Sequence, residues 1–144
     1  MYMELLAAKL LHFVEAIPRR APQNWLEDFN RGELFLLNYL FSSEGAVRPS
    51  SLSEAMQTST ARVAAALNSL ERKGLIKREF DDFDHRRKLV SLTSDGSDYI
   101  ESHRQKALQK TIRLLEELGE NDATEYLRIT QRMAKISQNL EFDN

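Results

Sequence analysis

The chain has 144 residues, 42% hydrophobic and 29% charged, with no cysteine, three histidines and a formal charge of −2. That length predicts one domain with enough chain to bury a core, and five glycines with three prolines speak against a β-sandwich or a disordered tail. The absence of cysteine excludes a disulfide framework, a thiol switch and a cysteine-ligated metal. No stretch reaches the ~20 uncharged apolar residues of a membrane span, and Glu4, Lys9, His12 and Glu15 interrupt the first apolar run, unlike a secretory signal. A soluble, cytoplasmic protein is the expectation.

In chain order, Met3, Leu6, Leu10, Phe13 and Ile17 fall at helical spacing on one stripe, and predict a helix over 3–17. Pro18 and Pro22 end it. A second helix is expected from about Phe29 to Phe41, with Leu34, Leu37, Leu40 and Phe41 inward. Ser51 and Glu54 have the spacing of a capping box and predict the start of a short third helix. After a turn at Gln57–Ser59, Thr58 or Ser59 can cap a fourth helix running to about Lys73, with Val63, Ala66, Leu67 and Leu70 buried and Gly74 as its stop. Strands follow at Leu75–Phe80 and Lys88–Leu92, separated by the polar tip Asp81-Asp82-Phe83-Asp84-His85-Arg86-Arg87. Thr93 opens a helix to about Leu118, roughly 37 Å long at 1.5 Å per residue. Gly119 stops it, and Asp122 with Glu125 predicts the start of a last helix carrying Tyr126, Ile129, Met133, Ile136 and Leu140 at the same spacing as the first stripe.

Two short helices across a tight turn, followed at once by a charged hairpin, make a winged helix-turn-helix. The fold class is therefore mainly α with a small β-hairpin wing, flanked by N- and C-terminal dimerisation helices. One domain is expected over 1–144, with 29–92 as the winged helix-turn-helix and 1–20 and 94–144 as the dimerisation helices. Net acidity alone speaks against a nucleic-acid partner, but its placement reverses that inference. From Arg48 to Lys88 nine basic residues stand against six acids, leaving eleven basic and sixteen acidic residues elsewhere.

On the fourth helix the face opposite the buried stripe holds Ala61, Arg62, Ala65, Asn68, Ser69 and Arg72. Alanines permit close approach to a major groove, Arg62 can pair with guanine or phosphate, and Asn68 with adenine. Ser59 and Thr60 lie at the helix N-terminus, which favours a phosphate. At the tip, Arg86 and Arg87 could reach a narrow minor groove, with Asp84 placed to hold the Arg86 guanidinium, His85 beside them, and Phe83 expected to anchor the loop against the body. At least one of the three aspartates should be paired with a basic neighbour. Met3, Leu6, Leu10, Phe13, Ile17, Tyr126, Ile129, Met133, Ile136 and Leu140 are read as the dimer layer, braced by Tyr99, Leu108, Ile112 and Leu115, since winged helices on palindromes act as two-fold dimers with heads roughly 34–36 Å apart.

The segment Asp84-His85-Arg86-Arg87-Lys88-Leu89-Val90-Ser91-Leu92-Thr93-Ser94-Asp95-Gly96 resembles the wing pattern D-x-R-x-x-x-V-x-L-T-x-x-G of the MarR family of transcriptional regulators, and Leu70-Glu71-Arg72-Lys73-Gly74-Leu75-Ile76 is similar to its L-E-x-x-G-L-[IV] segment. The resemblance implies a homodimer of pseudo-triangular outline on a palindromic operator in double-stranded DNA, with Arg86 as the minor-groove arginine, Asp84 as its orienting partner and Ser59–Ser69 as the major-groove helix. It also implies a repressor released by a small aromatic ligand, with Phe13, Trp25, Phe35, Tyr39 and His103 as candidate pocket residues that core packing explains equally well. The chain departs from oxidation-sensing members in lacking cysteine, and from zinc-sensing members in that His12, His85 and His103 are far apart in sequence; no cofactor or metal is expected. Its wing tip lacks the family's frequent Pro or Gly, and alanines at 61, 64 and 65 suggest modest direct readout with some dependence on DNA shape. The competing function is a protein-interaction module on a winged-helix frame, motivated by Asp81 and Asp82. An enzyme ranks last, for want of a Gly-rich phosphate loop, a ligand-spaced His cluster or an activated nucleophile.

Overall fold

A computed structural model describes residues 1–24, 29 and 31–140. Six α-helices and one hairpin occur among them, in the order α1 (Tyr2–Glu15), α2 (Gly32–Ser42), α3 (Pro49–Met56), α4 (Thr60–Arg72), β1 (Ile76–Phe80), β2 (Lys88–Leu92), α5 (Ser94–Leu118) and α6 (Glu120–Asn139), with a 3₁₀ turn at Pro22–Asn24. The architecture is mainly α with a β-hairpin wing, as expected. The chain divides into two compact units, Met1–Gln105 and Lys106–Asn144. No helix among the described residues is long and apolar enough to cross a membrane.

The core of the first unit is aliphatic. Leu36, Leu37 and Leu40 of α2, Leu52 of α3, Val63, Leu67 and Leu70 of α4, Ile76 and Val90 of the hairpin and Ile100 of α5 are buried. Each such side chain stabilises by about 1.5–3 kcal/mol, so the stripe on α4 determines which face that helix turns outward. On α2 the inward set differs from expectation. Leu36 is buried, Leu34 is half-buried and Phe41 is exposed, while the Phe41 ring lies 5.3 Å from the Arg104 guanidinium. The helix also starts later than Phe29, because Arg31 is extended and Gly32 has a φ of 55°, a left-handed conformation that interrupts the helical path.

Local start signals were replaced in two places. The Ser51–Glu54 capping box does not form: Arg48 is the N-cap and Pro49 occupies the first turn, where its fixed φ suits the helix and its missing N–H needs no partner. Likewise Asp122 and Glu125 do not open the last helix, which begins at Glu120 after Gly119 with no side-chain cap. Glu125 instead pairs with Arg128 at 2.5 Å. α1 ends at Glu15, so Ile17 lies beyond it, before Pro18, where the proline ring disfavours helical backbone.

β1 and β2 pair antiparallel, with Ile76 opposite Leu92, Arg78 opposite Val90 and Phe80 opposite Lys88. Val47 adds an isolated bridge to Val90, through bonds of 2.9 and 2.7 Å. The start of α5 is bolted to the end of α4. Thr93 Oγ1 accepts the Gly96 N–H at 3.0 Å as an N-cap and donates to the Gly74 carbonyl at 2.6 Å, and the Thr93 N–H donates to the Leu75 carbonyl at 3.1 Å.

Candidate nucleic-acid interface

Two elements of the first unit carry the site: α4 and the wing. The turn before α4 is made by Gln57, in the left-handed region at φ 53°, and Ser59, whose Oγ accepts the Arg62 N–H at 3.2 Å. Of the two expected caps, Thr58 and Ser59, it is Ser59 that forms. With Val63, Leu67 and Leu70 inward, Ser59, Thr60, Ala61, Arg62, Ala64, Ala65 and Asn68 are exposed. The small side chains leave the N-terminal half of the face open to close approach, and Arg62 projects from it.

The C-terminal half is committed to the protein itself. The Arg78 guanidinium donates to Asn68 Oδ1, and to Glu71 Oε2 and Oε1 at 3.2 and 3.3 Å. Asn68, expected to pair with adenine, therefore spends its carbonyl oxygen on the wing, because Arg78 offers only donors. Ser69 is half-buried and hydrogen-bonds Glu33, which also pairs with Lys73 at 2.6 Å; it faces α2 rather than solvent. Hydrogen bonds from Lys73 and then Ser69 hold the Glu33 carboxyl below its usual range, and the Arg78 hydrogen bond does the same for Glu71. Arg78 is the residue that sequence reasoning missed. Its only sequence signal is an alternating position on β1, and neither Asn68 nor Glu71 is adjacent to it in the chain.

The wing tip is closed by Asp81 N–H to the Arg87 carbonyl at 2.8 Å and by Arg87 N–H to the Asp84 carbonyl at 3.0 Å. Asp81 Oδ1 accepts the Phe83 N–H at 3.0 Å and Asp84 Oδ1 accepts the Arg86 N–H at 3.1 Å, two Asx turns in place of the missing Pro or Gly. The Asp84 carboxylate pairs with Arg87 Nε at 3.4 Å. It orients the Arg86 backbone and the Arg87 side chain, not the Arg86 guanidinium as expected, since the turn brings residue i+3 back over residue i. The expectation of one paired aspartate holds. His85 and Arg86 are exposed, and Phe83, expected to anchor the loop, is 100% exposed.

The candidate pocket residues do not share one contact. Phe13 is 67% exposed on α1, Phe35 stacks on Tyr39 at 6.3 Å, and His103 lies 4.7 Å from Tyr99; Trp25 lies outside the described residues. Among the described residues no cluster of His, Asp and Glu has a metal-holding arrangement. Of the two terminal stripes, Met3, Leu6, Leu10, Tyr126, Ile129, Met133, Ile136 and Leu140 are exposed, Leu140 being the C-cap of α6, and Ile17 is half-buried. Neither α1 nor α6 has a buried residue. Within the second unit, an apolar cleft of about 340 Å³ opens between α5 and α6, lined by Thr111, Leu115, Ala123, Tyr126, Leu127 and neighbouring threonines.

The MarR family model matches residues 27–87. A search of curated protein sequences finds no match. Among solved structures, the YusO protein of Bacillus subtilis superposes with a TM-score of 0.72 at 24% identity, covering 93% of this chain and 95% of that one. MepR, a transcription regulator of the Staphylococcus aureus multidrug efflux pump MepA, gives 0.67 at 24% identity over 93% and 98%. A MepR variant bound to an oligodeoxyribonucleotide gives 0.58 at 23% identity over 98% and 99%. Residues 27–87 match the MarR family model, and the chain as a whole has the fold of these solved structures.

Proposed function

We propose that the chain binds a palindromic operator as a homodimer, placing α4 in the major groove and the wing in the adjacent minor groove, and represses the genes it controls until a small-molecule ligand releases it. One observation carries the DNA reading. The guanidinium groups of Arg62 on α4 and Arg86 on the wing are exposed and have no ion pair or hydrogen bond among the described residues, whereas Arg78, Arg87 and Lys73 are engaged by protein carboxylates. Unpaired cations flanking an alanine-lined helix face suit phosphate and groove contact. The DNA-bound MepR variant of the same fold supports this reading. The exposed apolar stripes of α1 and of α6 support a dimer, since an exposed apolar patch marks an interaction surface.

The test is titration of purified protein against its own upstream DNA and against random duplex at several salt concentrations. Sequence-preferring, salt-sensitive binding is expected; its absence overturns the proposal. Arg62→Ala and Arg86→Ala should each weaken binding and lower the log–log salt slope by roughly one. A protein-interaction module would instead capture a protein partner and retain no DNA.

A further inference from the structure

We infer that Phe83 is a wedge: when the wing enters the minor groove, the Phe83 ring presses between two base pairs beside Arg86 and partly unstacks them. This rests on the DNA-binding reading above and adds a contact that Arg62 and Arg86 cannot make.

Three features of the tip point to it. First, the ring is 100% exposed. The other wing aromatic, Phe80, lies instead under Lys88, whose ammonium sits 5.4 Å from its centroid. Second, the ring is carried on a fixed backbone. The Asp81 carboxylate holds the Phe83 N–H, the Asp84 carboxylate holds the Arg86 N–H, and the two main-chain bonds between Asp81, Asp84 and Arg87 close the loop. A ring already projected on an ordered tip loses little conformational freedom on insertion. Third, an unpaired cation stands close to the ring in the chain: Arg86 is exposed and has no ion pair among the described residues. Asp81 and Asp84 are spent on tip amides, and Asp84 also on Arg87. Asp82 is exposed, and Arg86 is the tip arginine that no carboxylate engages among the described residues.

Apolar side chains inserted from the minor groove unstack a step and bend the duplex. Pyrimidine–purine steps open at least cost. The wing should therefore favour sites with such a step where it lands, without touching a base edge there.

The experiment uses a duplex selected from a random library by the wild-type protein, carrying 2-aminopurine at the wing step and dyes at both ends. Binding of wild-type protein should raise 2-aminopurine fluorescence and shorten the end-to-end distance. Phe83→Ala should abolish both signals and weaken binding about tenfold, within the range for loss of one aromatic–base stack, while leaving the salt slope and melting temperature unchanged. Phe83→Trp should keep both signals. If Phe83→Ala binds and bends DNA like the wild type, or weakens binding with the bend intact, the wedge is refuted and the DNA reading stands. If the wild type selects no duplex at all, the DNA reading itself fails.

Discussion

At Gly96 the first turn of α5 passes so close to the end of α4 that a Cβ there would sit 1.9 Å from the Leu75 carbonyl oxygen. The same crossing is stitched by the two Thr93 bonds to Gly74 and Leu75. This gives a steric reason for glycine three residues after the threonine in the wing motif. Gly96→Ala should force the two backbones apart and cost about 1–3 kcal/mol, the range for overpacking a tight contact, read as a lower midpoint in denaturant unfolding. Other residues behaved less legibly. Asp84 and Arg86 stand two apart in the motif, yet the carboxylate meets the Arg87 side chain and the Arg86 amide. Which of two neighbouring arginines folds back is settled by the turn geometry, which sequence spacing alone does not resolve.

Two brackets hold α4 in place as an element. Glu33 with Lys73 and Ser69 ties it to α2, and Arg78 with Glu71 and Asn68 ties it to the wing. Both glutamates have carboxyls held below the ordinary value of 4.5 by hydrogen bonds from their cationic partners. A carboxyl depressed by folding contributes stability that is present above the unfolded value and lost as pH falls through the folded one. Melting temperature should therefore decline as pH drops below about 4.5. Glu33→Gln should lower stability near neutrality by about 0.5 kcal/mol, as for a partly exposed ion pair, and should flatten part of that acid decline. An acid profile identical to the wild type would remove Glu33 from the bracket. At this scale the helix order, the Ser59 cap, the Gly74 stop and the β2 span were legible, because each depends on residues within a few positions. The capping pairs at Ser51–Glu54 and Asp122–Glu125 misled, because Pro49 and Gly119 set those helix starts first.

For the whole molecule, the proposed dimer depends on the exposed stripes of α1 and α6. Leu10→Glu combined with Met133→Glu should convert a dimer to monomer in light scattering. It should also reduce affinity for a palindromic duplex by on the order of 100-fold, as the two heads cease to act together. A double variant that stays dimeric places the interface elsewhere. The sequence by itself determined the order of elements, the winged helix and the two motifs that join helix to wing, since periodicity, caps and turns are local. Only the tertiary structure decided which side chains on the outward surfaces are free. Asn68 and Ser69 look as available as Arg62 on a helical wheel, but Arg78 lies ten residues from Asn68, and Glu33 bonds across 40 residues to Lys73 and reaches Ser69 as well. Phe83 looked like an anchor and is bare. Such pairings are made between distant parts of the chain, so they exist only once the core has brought those parts together.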